Sequence, residues 1–181
     1  GIRDRANVFA TIIGILDSEN INFLDAKLFG MKNGFCLDFI TISNQAGEVI
    51  SNNSSVAKSL TIRLKEALDQ EVLSPKIVKR RQPKHLKHFN TDTIIKYKHD
   101  MTHRWTEIDI KTSDRPGLLA SICQVFLDHG ALIRKARIAT YGERAEDKFC
   151  ITSKENTPYL KKKDLERLIN DMNDSLSGVN K

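Results

Sequence analysis

The chain repeats itself at a spacing of 110 residues, and this repeat restricts the fold more than any other feature of the sequence. Residues 4–28 align with residues 114–138, and in both copies apolar side chains recur at positions i, i+3, i+4 and i+7. Those positions hold Phe9, Ile12, Ile13 and Leu16 in the first copy and Leu119, Ile122, Cys123 and Phe126 in the second. The spacing predicts an amphipathic helix in each copy. We expect the helices to end at Asn20 and Gly130.

A pair of strands follows each helix, because the next residues alternate between apolar and polar side chains. The alternation slips by one residue before Ala26 and before Ala136, and a slip at the same place in both copies predicts a shared β-bulge. A second amphipathic helix ends each copy. The strand-like runs cover residues 21–29 and 35–42 of the first copy, joined by a turn at 32–34, and residues 131–140 and 147–153 of the second.

The second copy has a further strand before its first helix, at residues 105–112. This completes the order β-α-β-β-α, which is most of the ferredoxin-like β-α-β-β-α-β unit. Residues 93–98 form another strand-like run just upstream, and a short polar turn would place it beside residues 105–112 in the position of the missing last strand. The first copy has three residues before its first turn, and its last strand is expected at residues 76–80.

These patterns predict an α+β fold with two ferredoxin-like units, each an antiparallel sheet with helices on one face. We expect the first unit at residues 1–74 with a truncated first strand, a basic linker at 75–90, and the second unit at 91–181. The two units are expected to pack as a pair, because a single unit leaves strand edges exposed.

The positive charge of the chain is concentrated in one segment. The formal net charge is +6, and residues 75–88 contain six Lys and Arg residues and no acidic residue. The rest of the chain is therefore formally neutral. No apolar run is long enough to span a membrane. The three cysteines are odd in number, far apart and set among apolar residues, which indicates buried free thiols and a reducing, cytoplasmic compartment.

The turn before the first helix of the second copy, residues 114–119, has the chemistry of a binding site. Pro116 suits the first turn of a helix, and Gly117 has no Cβ, so that backbone or ligand can approach closely. A helix N terminus favours a carboxylate, and Asp114 can accept from an ammonium group. The simpler interpretation is that Asp114 caps the helix and Gly117 makes the corner.

Tandem units with an Asp-x-Pro-Gly-Leu-Leu turn resemble ACT domains, which bind amino acids and regulate attached enzymes. Residues 136–149 are similar to a segment of the bifunctional uridylyltransferase/uridylyl-removing enzymes, which modify the PII nitrogen-signal protein. Residues 80–83, with Leu86, His88 and Phe89, resemble the linker between the ACT domains of that family. The resemblance extends over nearly all of the 181 residues.

The resemblance implies the C-terminal regulatory region of such an enzyme. That region would sense an amino acid, glutamine by analogy, and shift the balance between adding UMP to PII and removing it. The catalytic sites would lie upstream, so this region would not be an enzyme by itself and would hold no cofactor; magnesium is expected in the catalytic domains. The implied partners are the amino acid, the upstream domains of the same chain and, through the full-length enzyme, PII.

The motif also implies which residues bind the ligand. In the second copy they are Asp114, Arg115, Gly117 and Leu118. In the first copy their counterparts are Asp4 and Asn7, where Ala6-Asn7 stands in place of Pro-Gly. The two sites are therefore expected to differ, and the main site is expected where the second turn faces a strand of the first unit.

Two alternatives come from other residues. Gly34–Phe39 resembles the RNA-recognition strand of ferredoxin-like RNA binders, and with the basic segment 76–88 it makes a nucleic-acid-binding module the second hypothesis. The basic segment is otherwise a solvated linker. The His99-Asp100 pair, with His103 close by, is similar to the His-Asp pair of metal-dependent phosphohydrolases. The pair falls in a predicted hairpin turn without further ligands, so no metal is expected.

Overall fold

The computed structural model describes residues 2–3, 8–30, 35–69, 92–159 and 161–177, with the backbone alone for 2–3, 28–30 and 35–37. The elements are β1 (Ile2–Arg3), α1 (Val8–Ser18), β2 (Asn22–Gly30), β3 (Phe35–Ser43), α2 (Ser55–Leu68), β4 (Ile94–Asp100), β5 (Trp105–Ser113), α3 (Leu118–Asp128), β6 (Leu132–Arg137), β7 (Thr140–Tyr141), β8 (Arg144–Thr152) and α4 (Lys162–Leu176). This order confirms the predicted α+β fold. The turn at 32–34, the strand at 76–80 and the linker at 75–90 lie outside the described residues.

The eight described strands form one antiparallel sheet, in the order β1-β3-β2-β6-β8-β5-β4, with β7 paired to β8 beside this path. The two units use the same register around their first strand. Arg3 lies opposite Phe35 in the first unit, as Ser113 lies opposite Arg144 in the second. β1 therefore occupies the position of a first strand, with two residues where β5 has nine.

The strand β4 fills the position of the last strand of the second unit. It pairs with β5 along its whole length, with Ile94 opposite Lys111 and Asp100 opposite Trp105. This pairing confirms the prediction for residues 93–98, and its physical reason is the short turn, which can only join antiparallel neighbours. The second unit is thus a ferredoxin-like sheet whose outer strand precedes the unit in the chain.

The predicted bulge is present in both units. The register shifts between Phe23 and Asp25 in β2 and between Ile133 and Lys135 in β6. At these shifts Leu24 and Arg134 have no opposite residue in the strand pairing, and the two are 110 positions apart in the repeat. Each bulge turns the following alanine toward the core, where Ala26 and Ala136 have no exposed surface.

The two units join edge to edge through β2 and β6. At the centre of this pairing Ala26 lies directly opposite Ala136, its equivalent in the repeat. The seam between the units therefore has approximate two-fold symmetry. One continuous sheet leaves neither β2 nor β6 as an open edge, which is the physical reason for the pairing.

The four described helices lie on one face of the sheet. α1 and α3 pack against each other across the seam, α2 packs against α1, and α4 packs against α3. Each helix is joined to its unit by edge-to-face aromatic contacts or apolar packing, as in Phe9 with Phe23 and Phe126 with Phe149. Cys123 and Cys150 are buried free thiols, as predicted. None of the helices in the described part of the chain is long and apolar enough to cross a membrane.

Candidate functional site

A cavity of about 810 Å³ lies between the two units. The first unit lines it with the end of α1, the start of β2 and the turn after β3; the second unit lines it with the turn before α3, β7 and the start of β8. The second-copy turn therefore faces the start of β2, a strand of the first unit, where the resemblance implies the main site. That a ligand binds there stays a prediction. The volume of the cavity is typical of a pocket that binds a small molecule.

The predicted second-copy residues Asp114, Arg115, Gly117 and Leu118 all line this cavity. The structure thus brings the four together on one wall. Their first-copy counterparts, Asp4 and Asn7, lie outside the residues that the structure describes, and the first-copy site stays a prediction.

The backbone of the turn requires a glycine at position 117. Gly117 has φ 76° and ψ 7°, a left-handed conformation that costs other residues about 1–2 kcal/mol. Gly117 is the N-cap of α3, and no side chain caps this helix end. The interpretation in which Asp114 caps α3 is therefore wrong. Leu118, Leu119 and Ala120 of the first turn of α3 instead line the cavity. The N–H of Leu118 donates to the carbonyl of Arg115 at 3.1 Å. The amide groups that this helix end can offer a ligand are therefore those of Leu119 and Ala120.

Asp114 lies at the rim of the cavity. Its N–H donates to the carbonyl of Glu143 at 2.8 Å, which ties the turn to the β7–β8 connection. Its carboxylate accepts the N–H of Arg115, which lowers the pKa, but partial burial has the larger effect and raises the pKa above its usual value.

Arg115 lines the cavity, but its guanidinium group binds elsewhere. It donates to the carbonyl oxygens of Ser175 at 2.9 Å and Leu176 at 3.1 Å, in the last turn of α4. These carbonyls have no partner within their own helix, and a cation there also complements the helix dipole. The Arg115 guanidinium group therefore links the turn to α4 and is not directed at the cavity.

Asp147 lies in the same cavity, and sequence reasoning missed it. The side chain is only 3% exposed, and its Oδ1 has no hydrogen-bond partner among the described residues. The carboxylate accepts one N–H, from Ala139. Burial, with a smaller contribution from the nearby charge of Asp114, raises the pKa of Asp147 to about 7.

A signal for Asp147 was present in the sequence. The buried face of β8 consists of Ala145, Asp147, Phe149 and Ile151, so a carboxylate interrupts an otherwise apolar alternation. A buried, poorly paired carboxylate is costly for folding and often marks a ligand site. In the first unit, Asp38 occupies the register position that corresponds to Asp147. It lies opposite Leu28 and next to the Lys27–Phe39 pair.

The opposite wall of the cavity carries polar groups of the first unit. Asn20 ends α1 with φ 57°, and the N–H of Ile21 then donates to the carbonyl of Leu16 at 2.9 Å. The Gln45 side chain crosses to the Asn20 carbonyl at 2.6 Å. The Ser43 hydroxyl is 1% exposed and has no hydrogen-bond partner within the described ranges. This wall therefore presents amide and hydroxyl groups.

The cavity thus combines three kinds of chemistry. The N terminus of α3 favours an anionic group, Asp114 and Asp147 favour a cationic group, and the first unit adds neutral polar groups. A small zwitterion can satisfy the first two at once.

Curated relatives match the chain in sequence. It is 37% identical over 150 residues to a protein of Psychrobacter sp. (strain PRwf-1), 36% identical over 155 residues to one of Pseudomonas putida (strain W619), and 34% identical over 156 residues to one of Acinetobacter baumannii (strain ATCC 17978). Each of the three is called a bifunctional uridylyltransferase/uridylyl-removing enzyme. The chain belongs to this enzyme family.

The matches to the uridylyltransferase/uridylyl-removing enzymes cover 83–86% of this chain but only 16–18% of the relatives. The chain therefore corresponds to about one sixth of such an enzyme. No family model and no solved structure matches it. The resemblance predicted from the second-copy turn and residues 136–149 is confirmed at the level of the family.

Proposed function

We propose that this chain is the amino-acid-binding regulatory region of a uridylyltransferase/uridylyl-removing enzyme and that the cavity between its units binds the amino acid. One observation carries the proposal: an uncapped helix N terminus and two carboxylates, one of them buried, line the same cavity. The ligand carboxylate would meet the amide groups at the start of α3. The α-ammonium group would lie against the Asp114 and Asp147 carboxylates.

The proposed ligand is glutamine. The ACT resemblance suggests an amino acid, and the wall formed by Asn20, Ser43 and Gln45 offers partners for a side-chain amide. A buried hydroxyl such as that of Ser43 gains most from a ligand that can complete its hydrogen bonds. Glutamate has the same length but a charged end, so it is the informative comparison.

The proposed role is control of enzyme domains elsewhere in the full-length protein. Through them, glutamine would shift the balance between adding UMP to PII and removing it. The chain itself would be non-catalytic, would hold no cofactor, and would act in the cytoplasm. Because the cavity has walls from both units, a ligand binds one relative arrangement of the units better than others, and this difference in affinity is what can bias an attached domain.

Isothermal titration of the chain with glutamine tests the proposal directly. We expect saturable heat with glutamine and a weaker response to glutamate. Folded protein that gives no heat with any amino acid would contradict the proposal.

Substitution of Gly117 tests the position of the site. Gly117→Ala forces a side chain into a left-handed backbone at the cavity wall, and we expect loss of glutamine binding with both units still folded by circular dichroism. Gly130→Ala is the matched control: Gly130 has φ 64° at the other end of the same helix, and an added Cβ would meet the flexible end of Lys154. Both variants should lose about 1–2 kcal/mol of stability, but only Gly117→Ala should lose the ligand.

The nucleic-acid alternative has one structural observation in its favour. The Phe39 side chain is 59% exposed on the sheet face opposite the helices, beside Lys27 on the neighbouring strand. Exposed aromatic and basic side chains on a sheet can stack on and neutralise single-stranded RNA. The basic segment 76–88 lies outside the described residues. Salt-dependent binding of a fluorescent RNA oligonucleotide, lost in Phe39→Ala, is the result that would favour this alternative.

A further inference from the structure

We propose that Asp147 receives the ammonium group of the ligand and gives up a proton as it does so, which makes the affinity of the cavity depend on pH. The proposal rests on the proposed function and assigns to Asp147, of the two carboxylates at the cavity, most of the specificity for an amino group. Its basis is geometric. Asp147 is 97% buried, lines the cavity, and keeps its Oδ1 without a hydrogen-bond partner in the part of the chain that the structure describes.

The surroundings of Asp147 supply negative charge and apolar surface. On the turn before α3 stands Asp114, whose charge disfavours a second anion. On α3 the buried Cys123 thiol faces it, and the pKa of that thiol is raised by burial and by the Asp147 charge. On β5 the residue opposite is Ile110. The remaining titratable groups at the cavity wall, on α1 and around β7, are Asp17, Tyr141 and Glu143.

Positive charge near Asp147 is directed away from it. Arg115 is a neighbour at the cavity wall, but its guanidinium group donates to the α4 carbonyls. Lys148 and Glu146 adjoin Asp147 in β8 and project from the opposite sheet face, where Lys148 pairs with Asp109 and Glu146 with Lys111. A carboxylate with this environment is destabilised as an anion unless a cation is brought to it.

An ammonium group supplies that cation. In the empty cavity the pKa of Asp147 is about 7, raised by burial and then by Asp114. A bound ammonium group favours the anion and lowers that pKa. Binding therefore releases a proton below about pH 7 and releases none well above it. Affinity therefore falls by up to roughly tenfold per pH unit below the pKa of Asp147 and levels off above it. It falls again at alkaline pH, where the amino group of the ligand loses its own proton.

The test is titration calorimetry of the 181-residue chain with glutamine in buffers of different ionisation enthalpy. We expect release of close to one proton per ligand at about pH 6 and almost none at about pH 8.5. This measurement needs no variant. Binding without proton release at the lower pH would overturn the proposal even though the proposed function would stand.

Two variants separate Asp147 from its surroundings. Asp147→Asn should remove the proton release and the pH dependence and should weaken binding at about pH 8 by roughly 10- to 100-fold. Asp109→Asn is the control, because Asp109 lies on the opposite face of the neighbouring strand and outside the cavity. It should keep the affinity and the pH profile of the unaltered chain.

A ligand without the amino group measures the specificity of the cavity for that group. The analogue of glutamine with hydrogen in place of the amino group should bind the unaltered chain far more weakly than glutamine, whereas Asp147→Asn should lose most of this discrimination. If glutamine binds but Asp147→Asn keeps the discrimination, the proposal is wrong and the proposed function survives. If no amino acid binds the folded chain, both the proposed function and the role of Asp147 are wrong.

Discussion

The Asp147 carboxyl group is easier to protonate in the folded chain than in the unfolded chain, since its pKa rises from 3.8 to about 7 on folding. Between those values the folded state binds more protons, so the free energy of unfolding falls as pH increases. The contribution of Asp147 to stability is therefore fully kept below about pH 4 and lost as pH rises through about 7. A group placed at such a cost to stability is typical of a ligand site.

We expect Asp147→Asn to stabilise the empty protein above pH 7 and to leave its stability almost unchanged near pH 4. The amide never carries the buried charge, and the shift of about three pKa units sets an upper limit of about 4 kcal/mol. Urea unfolding of both proteins between about pH 4 and pH 8 measures the difference. A constant difference across this range would mean that Asp147 is not protonated in the folded chain.

At the scale of elements, the turn before α3 and the end of α4 form one connected structure. Arg115 joins them through two hydrogen bonds between residues 60 and 61 positions apart. Partial burial lowers the pKa of the Arg115 guanidinium, but arginine keeps its charge at any ordinary pH. A change in the backbone of the turn would therefore move a hydrogen-bond donor of the last turn of α4.

We expect Arg115→Ala to loosen the last turn of α4 and to cost about 1–3 kcal/mol of stability, because two carbonyls lose a charged donor. Hydrogen exchange of residues near Leu176 should speed up, while exchange in α2 should stay the same. Arg167→Ala is the control, since Arg167 is exposed on the same helix. Equal effects of the two variants would show that the contact with α4 contributes nothing specific.

At the scale of the whole molecule, the seam between β2 and β6 turns two units into one sheet. Its centre is apolar, with Ala26 opposite Ala136, but on the other sheet face Lys27 lies directly opposite Lys135. Like charges in this position repel each other across the strands. The seam therefore carries an unfavourable charge pair in the isolated chain.

We expect Lys27→Glu to raise the stability of the chain by about 0.2–1 kcal/mol through attraction to Lys135. The gain should shrink in about 1 M salt, which screens exposed charges. Lys96→Glu provides the opposite case, because Lys96 lies opposite Asp109 and its replacement creates a like-charge pair. Thermal unfolding at low and high salt measures both; the same sign for the two variants would rule out a cross-strand charge effect.

The sequence by itself determined the features that depend on local patterns. The repeat, the helices ending at Asn20 and Gly130, the bulges after Phe23 and Ile133, and the hairpin of β4 with β5 all follow from side-chain periodicity and turn length over a few residues. The second-copy turn was predicted for the same reason, since a Pro-Gly pair favours a β-turn with positive φ at the glycine. The expectation that Pro116 lies in the first turn of α3 was wrong, because the helix begins at Leu118 with Gly117 as its N-cap.

Only the tertiary structure decided which distant residues meet. The seam pairs Ala26 with Ala136 because two open strand edges cover each other, and no periodicity states which edges will do so. The partner of Arg115 is at the far end of the second unit, and its contact depends on where α4 packs. Asp147 became a candidate only when burial and the neighbouring Asp114 were known, because a carboxylate acquires an unusual pKa from its surroundings and not from its own strand.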